Sequence, residues 1–262
     1  MSLFLYPIIG AIAGLLAGLF GVGGGAIIVP LLIFIFSVQG FPEASIVHLA
    51  IGTSFATIVI TSISSVLAHH KLGNVNWSVV KAMTPGLIIG VVLGSTVAAG
   101  LSGENLQLFV GLFLLLAAVQ LFTGAQPKAA FGLPSPAVLS IFGAVIGGFS
   151  AFFGIGGGTL TVPTLAACRE SMHAAVATSS ACGLPIAFFG ALTYGWHGGA
   201  IDALPEFASG YIYWPAFLGI AMMSMPFAKL GAVLSSRLSE RRLKRLFAIL
   251  LLVIAIQLLL SR

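Results

Sequence analysis

Gly14 to Leu32 reads GLLAGLFGVGGGAIIVPLL, and Gly147 to Leu165 reads GGFSAFFGIGGGTLTVPTL. Gly21, Gly23, Gly24, Gly25, Val29 and Pro30 of the first stretch fall on Gly154, Gly156, Gly157, Gly158, Val162 and Pro163 of the second. Self-similarity of this kind marks a duplicated structural unit. The correspondence runs on: His48-Leu-Ala-Ile-Gly-Thr53-Ser54 matches His173-Ala-Ala-Val-Ala-Thr178-Ser179, with one spacing from histidine to Thr-Ser. Pro85 pairs with Pro215 in segments introduced by Trp77 and Trp214, the stretch from Leu93 pairs with that from Leu230, and Gln120 pairs with Gln257. The chain therefore divides into a first repeat over 1–125, a Pro- and Gly-rich linker over 126–136, and a second repeat over 137–262.

Composition names the solvent in which these repeats fold. Of 262 residues, 59% are hydrophobic and 6% are charged, against roughly a quarter charged in a soluble domain. A water-soluble globule of this size could not clothe its surface from that mixture. Apolar runs with at most two charged residues each cover 3–37, 46–67, 79–98 and 105–123 in the first repeat, and 135–167, 173–194, 212–235 and 243–261 in the second. A helix crosses the hydrocarbon core in about 20 residues, so the first run of each repeat is too long for one simple span and the others are of ordinary length. The short alternating strands of a membrane β-barrel are missing. The expected fold is an all-α polytopic membrane protein of two homologous four-segment repeats, each opening with a Gly-broken segment.

The N-terminus, Met1 to Gly10, shows neither a basic n-region nor a small-residue cleavage site, and is expected to stay as the first membrane segment. The formal charge of +5 sits mostly in short loops, where it orients a protein at an anionic membrane surface and does not mark a nucleic-acid partner. Cys168 and Cys182 are expected to be buried thiols. The expected location is the inner (plasma) membrane, with the lipid bilayer as the surrounding partner; oligomeric state is not readable from the chain.

Charge also bears on how the halves are oriented. If each long segment crosses once, the repeats are parallel; if it enters and returns, they are inverted. Arg237, Arg241, Arg242, Lys244 and Arg245 crowd one loop, which belongs in the cytoplasm by the positive-inside rule. Counting back from it, the inverted arrangement puts Lys71, Lys128 and Arg169 in the cytoplasm and Glu104, Asp202 and Glu206 outside. The parallel arrangement moves Lys71 and Lys128 outside, so inverted halves are favoured.

A run such as Gly21-Val-Gly-Gly-Gly25 cannot continue a helix without a large entropic cost. An unwound stretch inside a membrane survives only where protein or a polar cavity satisfies its backbone. The half-helix that follows presents free N–H groups and a positive dipole end, an arrangement that binds anions. Interrupted segments in matching positions of two repeats also point to a transporter's central site. Gly23, Gly24, Gly25, Gly156, Gly157 and Gly158 are therefore candidate substrate-binding residues, with close helix packing as the alternative use of such small residues. Thr53, Ser54, Thr178 and Ser179 are further candidates, their uncharged hydroxyls able to donate to an oxyanion or to bond back to their own helices. Thr159 stands where the first repeat has Ala26 and would make the site asymmetric. His48 and His173 could carry a coupled proton or lend charge to the anion, or be interfacial residues.

Nothing in the sequence suggests catalysis or a cofactor. The five histidines form no HxxxH or HExxH arrangement, so no metal site is expected. No Asp or Glu falls inside a spanning run, which removes the usual carboxylate proton relay. Trp77, Tyr194, Trp196, Tyr211, Tyr213 and Trp214 cluster at segment ends, where aromatic belts belong.

At the doubled GxGGGxxxxP and the doubled HxxxxTS, the sequence resembles the sulfite exporter TauE/SafE family of membrane transporters. The resemblance spans nearly the whole chain. It implies a transporter of sulfur-containing oxyanions or organosulfonates, with the Gly-rich breaks near the substrate path. The leading expectation is a secondary transporter of a small anion such as sulfite, thiosulfate or a short sulfonate. A passive anion channel and a membrane subunit that carries no solute are the alternatives.

Overall fold

The computed structural model describes residues 5–20, 25–123, 132–199, 201, 204–235 and 240–260. Helices dominate them. The first half contains α1 (Leu5–Phe20), α2 (Gly25–Val38), α3 (Glu43–Lys71), α4 (Trp77–Ala99) and α5 (Gly103–Thr123). The second contains α6 (Pro136–Phe153), α7 (Gly158–Ala167), α8 (Met172–Gly198), a small antiparallel hairpin of β1 (Ala208–Ser209) and β2 (Ile212–Tyr213), α9 (Trp214–Ser235) and α10 (Glu240–Leu260). Among the described residues, five helices are long and apolar enough to cross a membrane: α3, α4, α5 over Gly103–Gln120, α6 and α8.

The over-long second segment is interrupted at Gly154–Gly157, between α6 and α7. Gly154 and Gly157 have φ of 61° and 74°, a left-handed conformation that glycine reaches without a Cβ penalty and that no helix continues through. The ten residues of α7 rise about 15 Å, roughly half the hydrocarbon thickness. In the first segment, Gly21, Val22, Gly23 and Gly24 lie outside the described residues, with α1 ending just before them and α2 starting just after.

Hydrogen bonds define two ends of the bundle. At one, the Tyr6 hydroxyl donates to Gln39 Oε1 at 2.6 Å, so α1 begins where α2 finishes. The same end holds the Tyr213 amide, which donates to Thr53 Oγ1 at 3.0 Å, and the Tyr211 amide, which donates to the Tyr194 carbonyl at 3.3 Å. Tyr6, Phe36, Phe41 and Tyr213 pack their rings there at centroid separations of 4.9 to 6.5 Å. At the other end, Asn76 follows α3, donates its amide to Thr178 Oγ1 at 3.0 Å and its side-chain Nδ2 to Glu170 Oε1 at 3.0 Å. Helix α3 therefore finishes where α8 starts, and the two run in opposite directions.

Helix contacts come in matched sets. Helix α1 packs on α9 as α6 packs on α4, α2 on α3 as α7 on α8, and α3 on α9 as α8 on α4; α3 meets α8, and α5 meets α10. Small residues make the closest of these contacts possible. A Cβ at Gly86 or Gly90 would collide with the carbonyl oxygens of Ser140 and Ala144, and one at Gly14 with the carbonyl of Ser224. Close backbone approach of this kind drives helix association where lipid is the solvent.

These contacts set the register of the third segments. Gly143 meets Met83 as Gly10 meets Ile220, and Gly147 meets Leu87 as Gly14 meets Ser224. That register pairs Trp77 with Trp214 and sets Pro85 opposite Met222, not Pro215. Pro85 and Pro215 are thus matched seven residues out of step, and seven residues is about two helical turns. A slip of that size keeps the same face, which is why the sequences align either way.

Charge separates the ends. Glu43, Glu104 and Glu206 are exposed at the end of the Tyr6–Gln39 contact; Lys71, Lys81, Arg169 and Arg245 are exposed at the other. We refer to them as the acidic and basic ends. Lys128, Asp202 and Arg237 lie outside the described residues, as does linker 126–136 up to residue 131.

Candidate functional site

The second interruption is built against the start of α2. A Cβ on Gly25 would stand 2.6 Å from the Gly154 carbonyl oxygen and 2.8 Å from Ile155 Cα, so the two Gly-rich segments meet in the middle of the bundle. Helix α3 crosses the same place: Ile58 reaches within 2.8 Å of the Cβ position of Gly25 and 3.0 Å of that of Gly156. From the other half, α8 brings Gly183 so near that a Cβ there would lie 2.7 Å from the Gly156 carbonyl. Four segments from both halves converge on one short unwound stretch.

The backbone at this break is only partly paired. Ending α6 leaves carbonyls without helical partners, and side chains take up two of them. The Tyr194 hydroxyl donates to the Ala151 carbonyl at 3.0 Å, and the Ser54 hydroxyl donates to the Gly154 carbonyl at 2.8 Å. The Ser150 carbonyl accepts the Gly154 and Ile155 amides. On the amide side, Leu160 and Thr161 donate to the Gly157 carbonyl. The amides of Gly156, Gly157, Gly158 and Thr159 donate to no carbonyl among the described residues. The carbonyls of Phe152, Phe153, Ile155 and Gly156 likewise accept from no donor among the described residues; the unpaired amides stand apart from them in lying at a helix N-terminus, which carries a positive dipole.

The hydroxyl candidates divide by this geometry. Thr53 and Thr178 are buried, and each Oγ1 accepts the amide that precedes a third segment of the opposite half, Tyr213 for Thr53 and Asn76 for Thr178. They anchor loops, a use the sequence reading did not foresee. Ser54 is committed to Gly154. Ser179 and Thr159 have buried hydroxyl oxygens with no partner among the described residues. Gly156, Gly158 and Thr159 are half-buried, whereas Gly25 and Gly157 are buried; Gly23 and Gly24 lie outside the described residues.

The matched histidines occupy unlike surroundings. His48 is 2% exposed, its Nε2 lies 3.3 Å from the Ala98 carbonyl, and its ring stacks on Tyr211 at 4.8 Å. His173, at the start of α8, is exposed. Burial raises the Tyr211 phenol above its ordinary range, so it stacks on His48 as a neutral ring. Burial and then the charge of Glu170 push the Cys168 thiol up, and both Cys168 and Cys182 are free and buried. The aromatic-belt expectation needs correcting at two positions. Trp77, Trp196 and Trp214 are exposed, but Tyr194 and Tyr211 are core residues, drawn inward because each has a partner there.

Two participants escaped the sequence reading. Tyr194 supplies a carbonyl cap across the halves, which no local pattern signals. Thr161 lies in the second turn of α7, fully buried, with Oγ1 unpartnered among the described residues. Its signal was present: the first copy has Ile28 where the second has Thr161.

A bundle of membrane-length apolar helices with one long segment unwound at Gly154–Gly157 defines a multi-pass membrane protein. The chain belongs to the sulfite exporter TauE/SafE family, whose profile matches residues 6–258. It is 37% identical to a protein of Haemophilus influenzae, over 99% of this chain and 98% of that one, described as a probable membrane transporter protein. A Methanocaldococcus jannaschii protein with the same description is 32% identical over 92% of this chain and 89% of its own length. The YunE protein of Bacillus subtilis, described likewise, is 27% identical over 98% and 97%. No solved structure matches the chain.

Proposed function

We propose that this chain is a secondary transporter of a small anion, a sulfur-containing oxyanion or organosulfonate such as sulfite, thiosulfate or a short sulfonate. The anion binds at the interrupted helices between the two halves. One observation carries the reading: at the Gly154–Gly157 break the four successive amides that open α7 are unpaired among the described residues, while Ser54 and Tyr194 take up the Gly154 and Ala151 carbonyls. Unpaired amides at a helix N-terminus favour a bound anion. The family description supports sulfur oxyanions as the class.

The halves are inverted repeats in this reading. Support comes from the opposed directions of α3 and α8, from α1 beginning where α2 ends, and from the matched helix pairs. The basic end faces the cytoplasm, following the positive-inside rule. Two related units around a fixed midplane site are suited to alternating access. His48, enclosed and with Nδ1 unpartnered among the described residues, is the candidate for coupling a proton.

Purified protein in liposomes loaded with sulfite or methanesulfonate tests the reading. Saturable flux that accumulates the anion against its gradient under an imposed pH difference is the expected result. Flux that only equilibrates would make the protein a pore, and no flux of any sulfur oxyanion would make it a membrane subunit without solute.

A further inference from the structure

The two breaks are not chemically equivalent. Thr159 and Thr161 open α7, where α2 has Ala26 and Ile28 at the matched positions. Thr161 is 0% exposed, and its Oγ1 lies 3.3 Å from the Cβ position of Gly157, the residue that caps the helix. A helical threonine whose surroundings are apolar normally donates back to its own preceding turn. Thr57, Thr84, Thr164 and Thr193 all do so, at 2.7 to 2.9 Å. The Thr159 and Thr161 hydroxyls do not, and neither has a partner among the described residues. Buried hydroxyls are nearly always satisfied in folded proteins. Two unsatisfied ones in the first two turns of a helix whose leading amides are also unpaired point to a ligand that accepts from all of them.

We infer that the start of α7 supplies hydroxyl ligands to the anion, with the Thr159 and Thr161 hydroxyls completing the α7 amides, and that Thr161 sets affinity for its oxygens. This rests on the proposed transport function and assigns its binding pole. The charge the site accepts follows from the same residues. Helices α2, α6 and α7 contain no Asp, Glu, Lys or Arg, nor does the interior of α3 or α8. A bound anion there meets dipoles and no full countercharge, and the penalty for leaving water climbs steeply with the charge carried. The site therefore suits a singly charged oxyanion, such as a sulfonate, over a doubly charged one such as sulfate, which narrows the proposed class by disfavouring thiosulfate, also a dianion.

Saturation curves for methanesulfonate, with sulfate as competitor, test this in liposomes holding wild type, Thr161→Val, Thr161→Ser or Ile28→Val. Thr161→Val should raise the half-saturating concentration about tenfold, the worth of one hydrogen bond to a charged group. Thr161→Ser keeps the hydroxyl and should stay near wild type, as should Ile28→Val, the matched change in the first half. Sulfate should compete weakly. Valine without effect, serine as harmful as valine, Ile28→Val as harmful as Thr161→Val, or sulfate competing as well as methanesulfonate would each overturn the assignment while leaving transport intact. Wild-type vesicles that move no methanesulfonate or sulfite overturn the transport reading itself, and this one with it.

Discussion

The Ser54 hydroxyl donates to the Gly154 carbonyl at 2.8 Å, and the two residues are 100 positions apart, in different halves of the chain. Ser54 belongs to α3, an uninterrupted helix of the first half, and Gly154 is the first residue of the second interruption. Removing this hydroxyl strands a buried acceptor. Ser54→Ala should therefore lower stability by about 1–3 kcal/mol, read as a lower melting temperature of the detergent-purified protein. An unchanged melting temperature would show that the bond contributes nothing.

Gly25 is the point where the two Gly-rich segments touch. Leucine there must displace the Gly154 carbonyl and Ile155 backbone, 2.6 and 2.8 Å from the new Cβ. Backbone cannot yield as a side-chain tip can, so Gly25→Leu should abolish anion flux in liposomes. Gly100→Ala is the control, since its nearest neighbour is an ordinary 3.5 Å away. Equal flux in the two variants would remove the contact between segments from the transport site.

Thr53 and Thr178 hold the loops that lead into α9 and α4. Thr53→Val and Thr178→Val should each cost about 0.5–2 kcal/mol of stability. Half-saturation by methanesulfonate should stay unchanged in whatever folded protein remains. A rise in half-saturation at unaltered melting temperature would instead make these hydroxyls part of the anion site.

The arrangement of ends predicts chemical access. Single cysteines replacing Lys71 or Arg169 should react with a membrane-impermeant maleimide only from the cytoplasmic side. Replacements of Glu43 or Glu206 should react only from outside. Labelling of the Lys71 replacement from outside would return the halves to a parallel arrangement.

The sequence made the interruption at Gly154–Gly157 legible because glycine runs and their spacing to Val-Pro are local facts. Membrane-length helices were legible for the same reason, since apolar length alone defines them. The roles of Thr53, Thr178 and Tyr194 were not, because each partner comes from the opposite half and no local pattern names it. The histidines show the limit most directly. Equal spacing to Thr-Ser suggested equal roles, yet His48 is covered by Tyr211 and the Ala98 carbonyl while His173 is bare, because packing neighbours differ where the motifs do not. Thr161 was legible only as a difference between the copies, threonine against Ile28, and not as part of the motif that they share.

The crossed pairing of α1 with α9 and of α4 with α6 has a consequence for biogenesis. The first half leaves the ribosome with α1 and α4 both lacking the glycine-lined neighbours that complete them. Those two helices must wait in the bilayer without their main partners until α6 and α9 have been threaded in. Assembly is thus a late event that closes the whole molecule at once, and two separately expressed halves should regain activity only when they are synthesised together in the same membrane.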